Sequence, residues 1–361
     1  MKRQPLYLIF AALTLLVHCP AFAEDSKQLP DPDGKPADTI KPVQVYILLG
    51  QSNMLGFGKI AGADKDGTLE HAVKEKELYP YLVDDEGNWT ERKDVRNVRV
   101  MGSGTGSMRV FNNEWMTIKG RAVGPEIGIG HHVGHVTDAP VMILKSCIGN
   151  RSLSWDLLPP GSPSFEFEDK DKKTGEVKVW HYAGYKESPL RWEKGTKPEP
   201  IKWYAGMQYD GDIARAKQVL SELDKYYPDA KKYEVAGFFF WQGDKDRYNA
   251  GHAHRYEQNL VQLIKQLRKD FDAPGAKFVC ATLGQTKKGA EGNEGLILNA
   301  QLAVDGKSGK YPEFKGNVAT VYTQPLSKGG ASNSHYGGNA ETYMNVGEAM
   351  GKAMVELMKN E

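Results

Sequence analysis

The chain of 361 residues has little cysteine, almost no excess of charge and, after its first residues, no long apolar run. Three cysteines are too few for a fold held together by disulfides. Cys147 and Cys280 each lie in an apolar, strand-like segment, where they are either free buried thiols or a single disulfide. Beyond residue 23 nothing approaches the roughly 18 apolar residues that a membrane helix needs, so we expect no membrane insertion.

The first 23 residues have the pattern of a secretory signal. Lys2 and Arg3 precede an apolar stretch over residues 6–17, and small residues lead up to Ala23. We therefore expect cleavage after Ala23 and a secreted or periplasmic protein. Removing the two cations changes the formal net charge from +1 to −1. That balance leaves no positive excess to attract phosphate backbones, so we expect no nucleic-acid partner.

After residue 42, short apolar runs alternate with segments of helical periodicity. The runs are residues 43–49, 141–146, 235–241, 277–283 and 318–322, and helical spacing appears within 213–227, 253–271 and 344–357. Runs of this length, rich in β-branched and aromatic residues, are typical of strands buried on both faces. The alternation predicts an α/β fold in three layers, α/β/α, with a parallel central sheet.

The domain organisation follows from the same pattern. Residues 24–42 contain much Pro, Asp and Lys and almost no large apolar side chain, so we expect a flexible leader. We expect one catalytic domain over residues 43–361, with long loop insertions at about 59–123 and 155–206. The second insertion is crowded with aromatic side chains, which either contact a sugar or form a core of their own.

Three predicted strand ends carry polar residues that chemistry could use. Ser52 follows the first strand, Asp244 and Asp246 follow the third, and His335 lies just before the last helix. Taken alone, each has a simpler role: Ser52 as a helix N-cap, the aspartates as loop caps, and His335 as a surface residue. Because the carboxyl ends of parallel strands meet at one edge of a sheet, their joint occurrence favours a serine hydrolase site.

Several motifs occur in an order that resembles a known family. They are residues 49–54 (LGQSNM), 123–127 (VGPEI), 145–150 (KSCIGN) with 152–153 (SL), and 241–244 (WQGD) followed by Asp246. Together they are similar to the sialate O-acetylesterase domain group of the SGNH-hydrolase superfamily, which is related to carbohydrate esterase family six. The resemblance implies a flavodoxin-like SGNH hydrolase fold and no cofactor or metal.

The resemblance also implies roles for individual residues. Ser52 is then the nucleophile, and His335 is the general base that takes its proton and returns it to the leaving sugar hydroxyl. We expect the oxyanion donors to be the backbone N–H groups of Ser52 and of Gly149 and Asn150, together with the Gln242 side chain. Asn150 stands where relatives tend to have glycine, but Asn tolerates left-handed backbone angles better than most residues.

One position departs from the family pattern. Relatives commonly carry an aspartate three residues before the catalytic histidine, and this chain has Ser332 there. The sequence leaves three alternatives open for the acid behind His335: Asp244 as the third member of the triad, Asp246 as the reserve acid, or no carboxylate at all.

The expected function is that of an exported serine esterase. Its substrate would be an O-acetylated carbohydrate, deacetylated through an acyl-enzyme. The missing aspartate keeps a second class open, a catalytically impaired carbohydrate-binding protein, and an esterase for another acyl group is a third hypothesis. His131, His132 and His135 form a conspicuous cluster, for which we expect solvated or capping histidines at a helix terminus rather than a metal site.

Overall fold

The computed structural model describes residues 34–170 and 173–359. The expected signal and most of the expected leader lie outside the described residues. Residues 34–42 contain no helix or strand, and the first strand begins at Val43. None of the helices in the described part of the chain combines the length and apolar character needed to cross a membrane.

Twelve strands are present in the described residues. They are β1 (Val43–Gly50), β2 (Gly58–Lys59), β3 (Glu91–Met101), β4 (Arg109–Thr117), β5 (Ala122–Val123), β6 (Val141–Ser146), β7 (Phe165–Lys170), β8 (Val177–Tyr182), β9 (Arg191–Glu193), β10 (Tyr233–Trp241), β11 (Lys277–Ala281) and β12 (Val318–Val321).

Eight α-helices accompany these strands in the described ranges. They are α1 (Ser52–Leu55), α2 (Leu69–Lys74), α3 (Glu126–His135), α4 (Met207–Ser221), α5 (Leu223–Tyr226), α6 (Ala250–Asp270), α7 (Gly292–Ala303) and α8 (Ala340–Met358). Short 3-10 segments cover Pro80–Leu82, Asp246–Tyr248, Pro312–Phe314, Gln324–Leu326 and Ser332–Gly338.

The central sheet has seven strands in the order β12-β11-β10-β1-β6-β3-β4. All neighbouring pairs are parallel except β3 and β4, which pair antiparallel at one edge. Numbered among themselves, the five strands predicted from the apolar runs have the order 2-1-3-4-5, which is the flavodoxin-like arrangement. The mixed α/β fold with a mostly parallel sheet confirms the fold prediction.

Both faces of the sheet are buried under helices. Along β1, Val45 and Ile47 point into one core, which includes apolar residues of α4, α6 and α7. Tyr46 and Leu48 point into the other, which includes residues of α3 and α8. This alternation along a strand is the geometric reason why a continuous apolar run predicts a strand covered on both sides.

The first insertion contributes more to the sheet than its sequence indicates. We expected a loop over residues 59–123, but β3 is eleven residues long and pairs with β6. Its buried valines alternate with Arg92, Arg96 and Arg99, so no apolar run marks it. Arg96 is nevertheless buried, because its guanidinium donates to the Tyr226 carbonyl at 3.0 Å and packs over the Trp115 ring.

The second insertion forms a small antiparallel sheet in the order β7-β8-β9. Trp155, Leu158, Ala183 and Ala205 form a separate apolar cluster, and Trp203 packs against it. Some aromatic side chains of the second insertion, Trp155 and Trp203 among them, therefore form a small core of their own. Cys147 and Cys280 are free and buried in opposite cores, Cys147 in the one that includes α3 and α8 and Cys280 in the one that includes α6, which decides between the two alternatives for them.

The three clustered histidines lie in α3. His135 is exposed, but His131 and His132 are buried, so the expectation of solvated side chains is wrong for these two. Glycines explain the burial: a side chain on Gly351 would bring its Cβ to 2.7 Å from the His132 Cβ, so α3 and α8 pack closely. The described residues contain no group of three or more His, Cys, Asp or Glu side chains arranged to hold a metal.

The buried histidines make stability depend on pH. Burial lowers the pKa of His132 to about 4. An unfolded histidine binds a proton near pH 6.5, so the free energy of unfolding falls as the pH drops from about 6.5 toward 4, by up to about 1.4 kcal/mol per pH unit for each such group.

We predict that His132→Gln reduces the difference in unfolding free energy between pH 7 and pH 5 by about 1–2 kcal/mol, as measured by urea unfolding. His135→Gln is the matched control and leaves that difference unchanged; an equal effect of both variants would contradict the prediction.

Candidate active site

Ser52 lies immediately beyond the carboxyl end of β1, as predicted. Gly50 has φ 143°, and any side chain there would collide with the carbonyl oxygen of Trp241 in the neighbouring strand. The chain then turns into the four-residue helix α1, which starts at Ser52 itself. The N-cap is Gln51, without a side-chain capping bond. Ser52 is therefore not a helix cap, and its partly exposed hydroxyl makes no hydrogen bond to any described residue.

The segment after β6 lies against the serine. A side chain at Gly149 would place its Cβ 3.4 Å from the Ser52 Cβ, so the backbone passes directly beside the hydroxyl. Asn150 has φ 56°, the left-handed conformation expected for it. Within the described ranges, the N–H groups of Ser52, Gly149 and Asn150 donate to no acceptor. Three main-chain donors are thus free near one hydroxyl, as an oxyanion site requires.

Gln242 does not have the role that we expected. Its Nε2 lies 2.6 Å from Asp246 Oδ2, 2.9 Å from the Arg151 carbonyl oxygen and 3.2 Å from Gln51 Oε1. Its Oε1 accepts a hydrogen bond from the Tyr256 hydroxyl at 2.8 Å. An amide has only two N–H donors, and three protein acceptors already surround them. Gln242 therefore has no donor to spare for an oxyanion and instead joins neighbouring segments.

Asp246 is likewise committed to the scaffold. Its carboxylate accepts from the Leu153 N–H at 2.8 Å, the Ser154 N–H at 2.9 Å and the Gln242 amide. The side chain is fully buried, and burial raises its pKa while these hydrogen bonds oppose the rise. The structure does not bring Asp246 to His335, so the reserve acid is unsuited to that role. It instead fixes the loop that follows Gly149 and Asn150.

Asp244 lies at the end of β10 and faces the histidine segment. Its Oδ1 accepts from the Ser332 hydroxyl at 2.6 Å and from Arg247 Nε at 2.9 Å. Its Oδ2 has no donor among the described residues. Ser332 lies three residues before His335, so the Asp244 carboxylate contacts the segment that carries the histidine. Oδ1 is held by two hydrogen bonds, and Oδ2 is free to accept another.

His335 lies beside this carboxylate segment without contacting it. Its ring stacks on Phe57 with 4.0 Å between centroids and 8° between planes. In the described chain, the ring makes no hydrogen bond and no ion pair. Its backbone is left-handed, with φ 51°, as is that of Tyr336. Such angles are costly for residues with side chains and indicate a turn that the surrounding structure imposes.

Hydrogen bonds tie the histidine segment to the serine segment. Asn53 Nδ2 donates to the Ser332 carbonyl at 3.3 Å. The Tyr343 hydroxyl lies 3.2 Å from Asn53 Oδ1 and 3.3 Å from the His335 carbonyl. Asn53, next to Ser52, therefore contacts the start of the histidine turn directly and its His335 carbonyl through the Tyr343 hydroxyl. The structure brings Ser52, Asp244 and His335 onto adjacent segments, but the hydrogen bonds of a triad are not formed.

A buried ion pair beneath the site escaped the sequence reasoning. Lys145 Nζ lies 2.6 Å from Glu126 Oε2 and 3.0 Å from the Leu55 carbonyl at the end of α1. Glu126 Oε1 also accepts from the Gly124 N–H at 3.2 Å. Burial lowers the pKa of Lys145, and Glu126 opposes that change. A lysine inside an otherwise apolar strand was the available signal, and its function is to hold the turn that carries Ser52.

We predict that Asp246→Asn damages both stability and activity. One carboxylate oxygen becomes an NH₂ group facing a backbone donor, so the free energy of unfolding falls by about 1–3 kcal/mol. The rate of p-nitrophenyl acetate hydrolysis falls at least about tenfold, since the loop at Leu153 and Ser154 loses its anchor. Urea unfolding and initial rates measure the two effects. The control Asp270→Asn, at the far end of α6, changes contacts to Tyr209 and Gln266 away from the site. Wild-type behaviour of Asp246→Asn would contradict the scaffold role.

Comparison with known proteins adds the following. Residues 187–356, less than half of the chain, match the family model described as carbohydrate esterase, sialic acid-specific acetylesterase (SASA). This range contains Asp244 and His335, whereas Ser52 precedes it. The chain matches none of the curated proteins with which it was compared.

Three solved structures are similar to the chain. A protein from Arabidopsis thaliana is 16% identical, over 87% of this chain and 98% of that one, with a TM-score of 0.46. A carbohydrate acetylesterase from Xanthomonas citri, XAC1771, is 13% identical over 88% of this chain and 57% of that one, with a TM-score of 0.49. NanS is 12% identical over 80% and 79%, with a TM-score of 0.41. The family match over residues 187–356 confirms the resemblance that the motifs predicted, to the sialic acid-specific acetylesterase (SASA) family of carbohydrate esterases.

Proposed function

We propose that the protein is a serine esterase that removes O-acetyl groups from carbohydrates. The observation that carries the proposal is the position of Ser52: a partly exposed hydroxyl at a strand end, with Gly149 packed against it and free backbone N–H groups around it. The family match to carbohydrate esterases supports the choice of an acetylated sugar as substrate. Export rests on the first 23 residues, and the N-terminal sequence of the protein recovered from outside the cytoplasm tests it.

The proposed mechanism uses only these residues. Ser52 Oγ attacks the acetyl carbonyl carbon while His335 takes the hydroxyl proton. The carbonyl oxygen becomes negative and is bound by the N–H groups of Ser52, Gly149 and Asn150, where each donor is worth about 3 kcal/mol. Collapse of the intermediate breaks the bond to the sugar oxygen, which receives the proton from His335. Water then attacks the acetyl-serine carbonyl while His335 takes a proton from it. The second intermediate collapses by breaking the bond to Ser52 Oγ, which receives that proton, and acetate is released.

The histidine must move for this sequence to run. In the structure its ring stacks on Phe57, so a rotation about its side-chain bonds is needed to place one ring nitrogen toward Ser52 and the other toward Asp244. Oδ2 of Asp244 is the free acceptor in the described chain. Catalytic hydrogen bonds often tighten only when substrate binds, so the open geometry is compatible with the proposal.

We predict that Ser52→Ala and His335→Ala each lower the rate of p-nitrophenyl acetate hydrolysis at least about a thousandfold, because the nucleophile and its base act as a unit. Ser334→Ala is the matched control: its exposed hydroxyl lies on the same turn as His335 and bonds only the Ala331 carbonyl. It retains the wild-type rate. A normal rate in Ser52→Ala would refute the mechanism, and binding of sugar without acetate release by the wild type would favour the carbohydrate-binding alternative.

We further predict that Asp244→Asn lowers kcat by roughly 10²- to 10⁴-fold, because an amide cannot stabilise the histidinium as a carboxylate does. The matched control is Glu294→Gln, which removes the other carboxylate partner of Arg247 and leaves the path to His335 intact. Steady-state kinetics on both variants separate the roles. An equal loss in the two would assign Asp244 to the Arg247 ion pair, and no loss in either would leave a dyad of Ser52 and His335.

A further inference from the structure

We propose that Arg151 is a positioning residue that holds and polarises the oxyanion turn, defined as residues 149–151, and this inference rests on the proposed esterase function. Arg151 Nη1 lies 3.2 Å from the Asn150 carbonyl oxygen and 3.5 Å from that of Gly149. The side chain therefore folds back onto the two peptide groups that precede it. No motif or family match assigns it a role.

The carbonyl oxygens of the turn are all held from within the protein. The Arg151 guanidinium donates to the oxygens of Gly149 and Asn150, and the Gln242 amide donates to the carbonyl oxygen of Arg151 itself at 2.9 Å. A trans peptide directs its N–H opposite to its C=O. Fixing the Gly149 oxygen therefore fixes the direction of the Asn150 N–H, and fixing the Asn150 oxygen fixes that of the Arg151 N–H. It also supports the left-handed angle of Asn150, a conformation that costs most L-residues about 1–2 kcal/mol and Asn less.

The charge of Arg151 acts on these donors. The C=O of Gly149 and the N–H of Asn150 belong to one peptide group, so a cation near the oxygen strengthens the N–H as a donor. Among the described residues, no carboxylate lies within ion-pair distance of Arg151. The Asp156 and Asp212 carboxyl groups interact with its charge from beyond ion-pair distance, whereas the carbonyl oxygens of the turn contact the guanidinium directly. We expect this polarisation to matter most when the bound oxygen becomes negative.

Both insertions hold Arg151 in place. Nη2 donates to Ser103 Oγ at 3.1 Å, from the loop between β3 and β4. Nε donates to Gln208 Oε1 at 3.1 Å, and the guanidinium lies 5.1 Å from the ring centroid of Trp203 at the end of the second insertion. Gln208 Oε1 accepts in turn from the Gly104 N–H at 2.8 Å. Residues of both insertions thus support the oxyanion turn through the Arg151 side chain.

Substitutions of Arg151 separate positioning from substrate contact. Arg151→Met keeps the apolar stem and removes the fork of donors, and we expect kcat to fall by about 10- to 100-fold with KM changed less than about threefold. Arg151→Lys keeps the charge and recovers part of kcat, and added guanidinium ion raises the rate of Arg151→Met. The inhibition constant of an alkylboronic acid, whose tetrahedral adduct on Ser52 places an oxygen in the oxyanion site, rises by the same factor as kcat falls.

The controls distinguish the ways in which the inference fails. Arg109→Met alters an exposed arginine on the adjacent hairpin and retains wild-type kinetics. A rise in KM at constant kcat would assign Arg151 to substrate binding and overturn the inference, as would unchanged kcat. Circular dichroism shows whether Arg151→Met folds. If it does not, the folded Arg151→Lys variant tests the inference: its boronate inhibition constant should rise by the same factor as its kcat falls. Absence of turnover in the wild type would overturn the proposed function itself.

Discussion

The amide of Gln242 and the carboxylate of Asp246 hold together the edge of the sheet on which everything else depends. The Nε2 of one buried amide lies within hydrogen-bond distance of Gln51, just after β1, of the Arg151 carbonyl and of the Asp246 carboxylate, which share its two N–H donors. The carboxylate extends the network to Leu153 and its neighbour. Buried polar groups left without partners cost about 1–3 kcal/mol each, so a network that satisfies them all specifies one arrangement of the three segments.

This constraint divides the polar residues at the site into two groups. Those that are fully bonded inside the protein, such as Gln242 and Asp246, serve as framework. Those with free atoms, the Ser52 hydroxyl, Asp244 Oδ2 and the N–H groups beside Gly149, are left for chemistry. A preorganised site needs both, because donors aimed at a developing charge stabilise it only if they need not reorganise. Hydrogen-bond saturation therefore separates the scaffold residues from the proposed catalytic ones, which residue type alone does not.

The sequence predicts those parts of the fold that apolar periodicity controls. The five parallel strands and the helices α4, α6 and α8 follow from it, and so does the display of Ser52 after β1. β3 does not, because its arginines are buried by contacts to residues far away in sequence, which no local pattern records. For the same reason sequence cannot tell an amide that faces substrate, as Gln242 was expected to do, from one that faces its own backbone. The left-handed turn at Asn150 was predictable, since it depends on one residue's conformational preference.

The substitution of the usual aspartate by Ser332 changes where the carboxylate is anchored. In the pattern of relatives the acid and the histidine share one turn, so their distance is set locally. Here the turn contributes a hydroxyl donor and the end of β10 contributes the carboxylate, joined at 2.6 Å. Because Arg247 also binds the same oxygen, the carboxylate is oriented from both sides and its second oxygen is left free. The Ser332 hydroxyl orients the carboxylate without changing its charge, which the Arg247 guanidinium offsets in part. A carboxylate is thus present at the histidine turn although the turn itself carries no aspartate. The distance between acid and histidine then depends on contacts between two segments, Asn53 to Ser332 among them, rather than on a single turn.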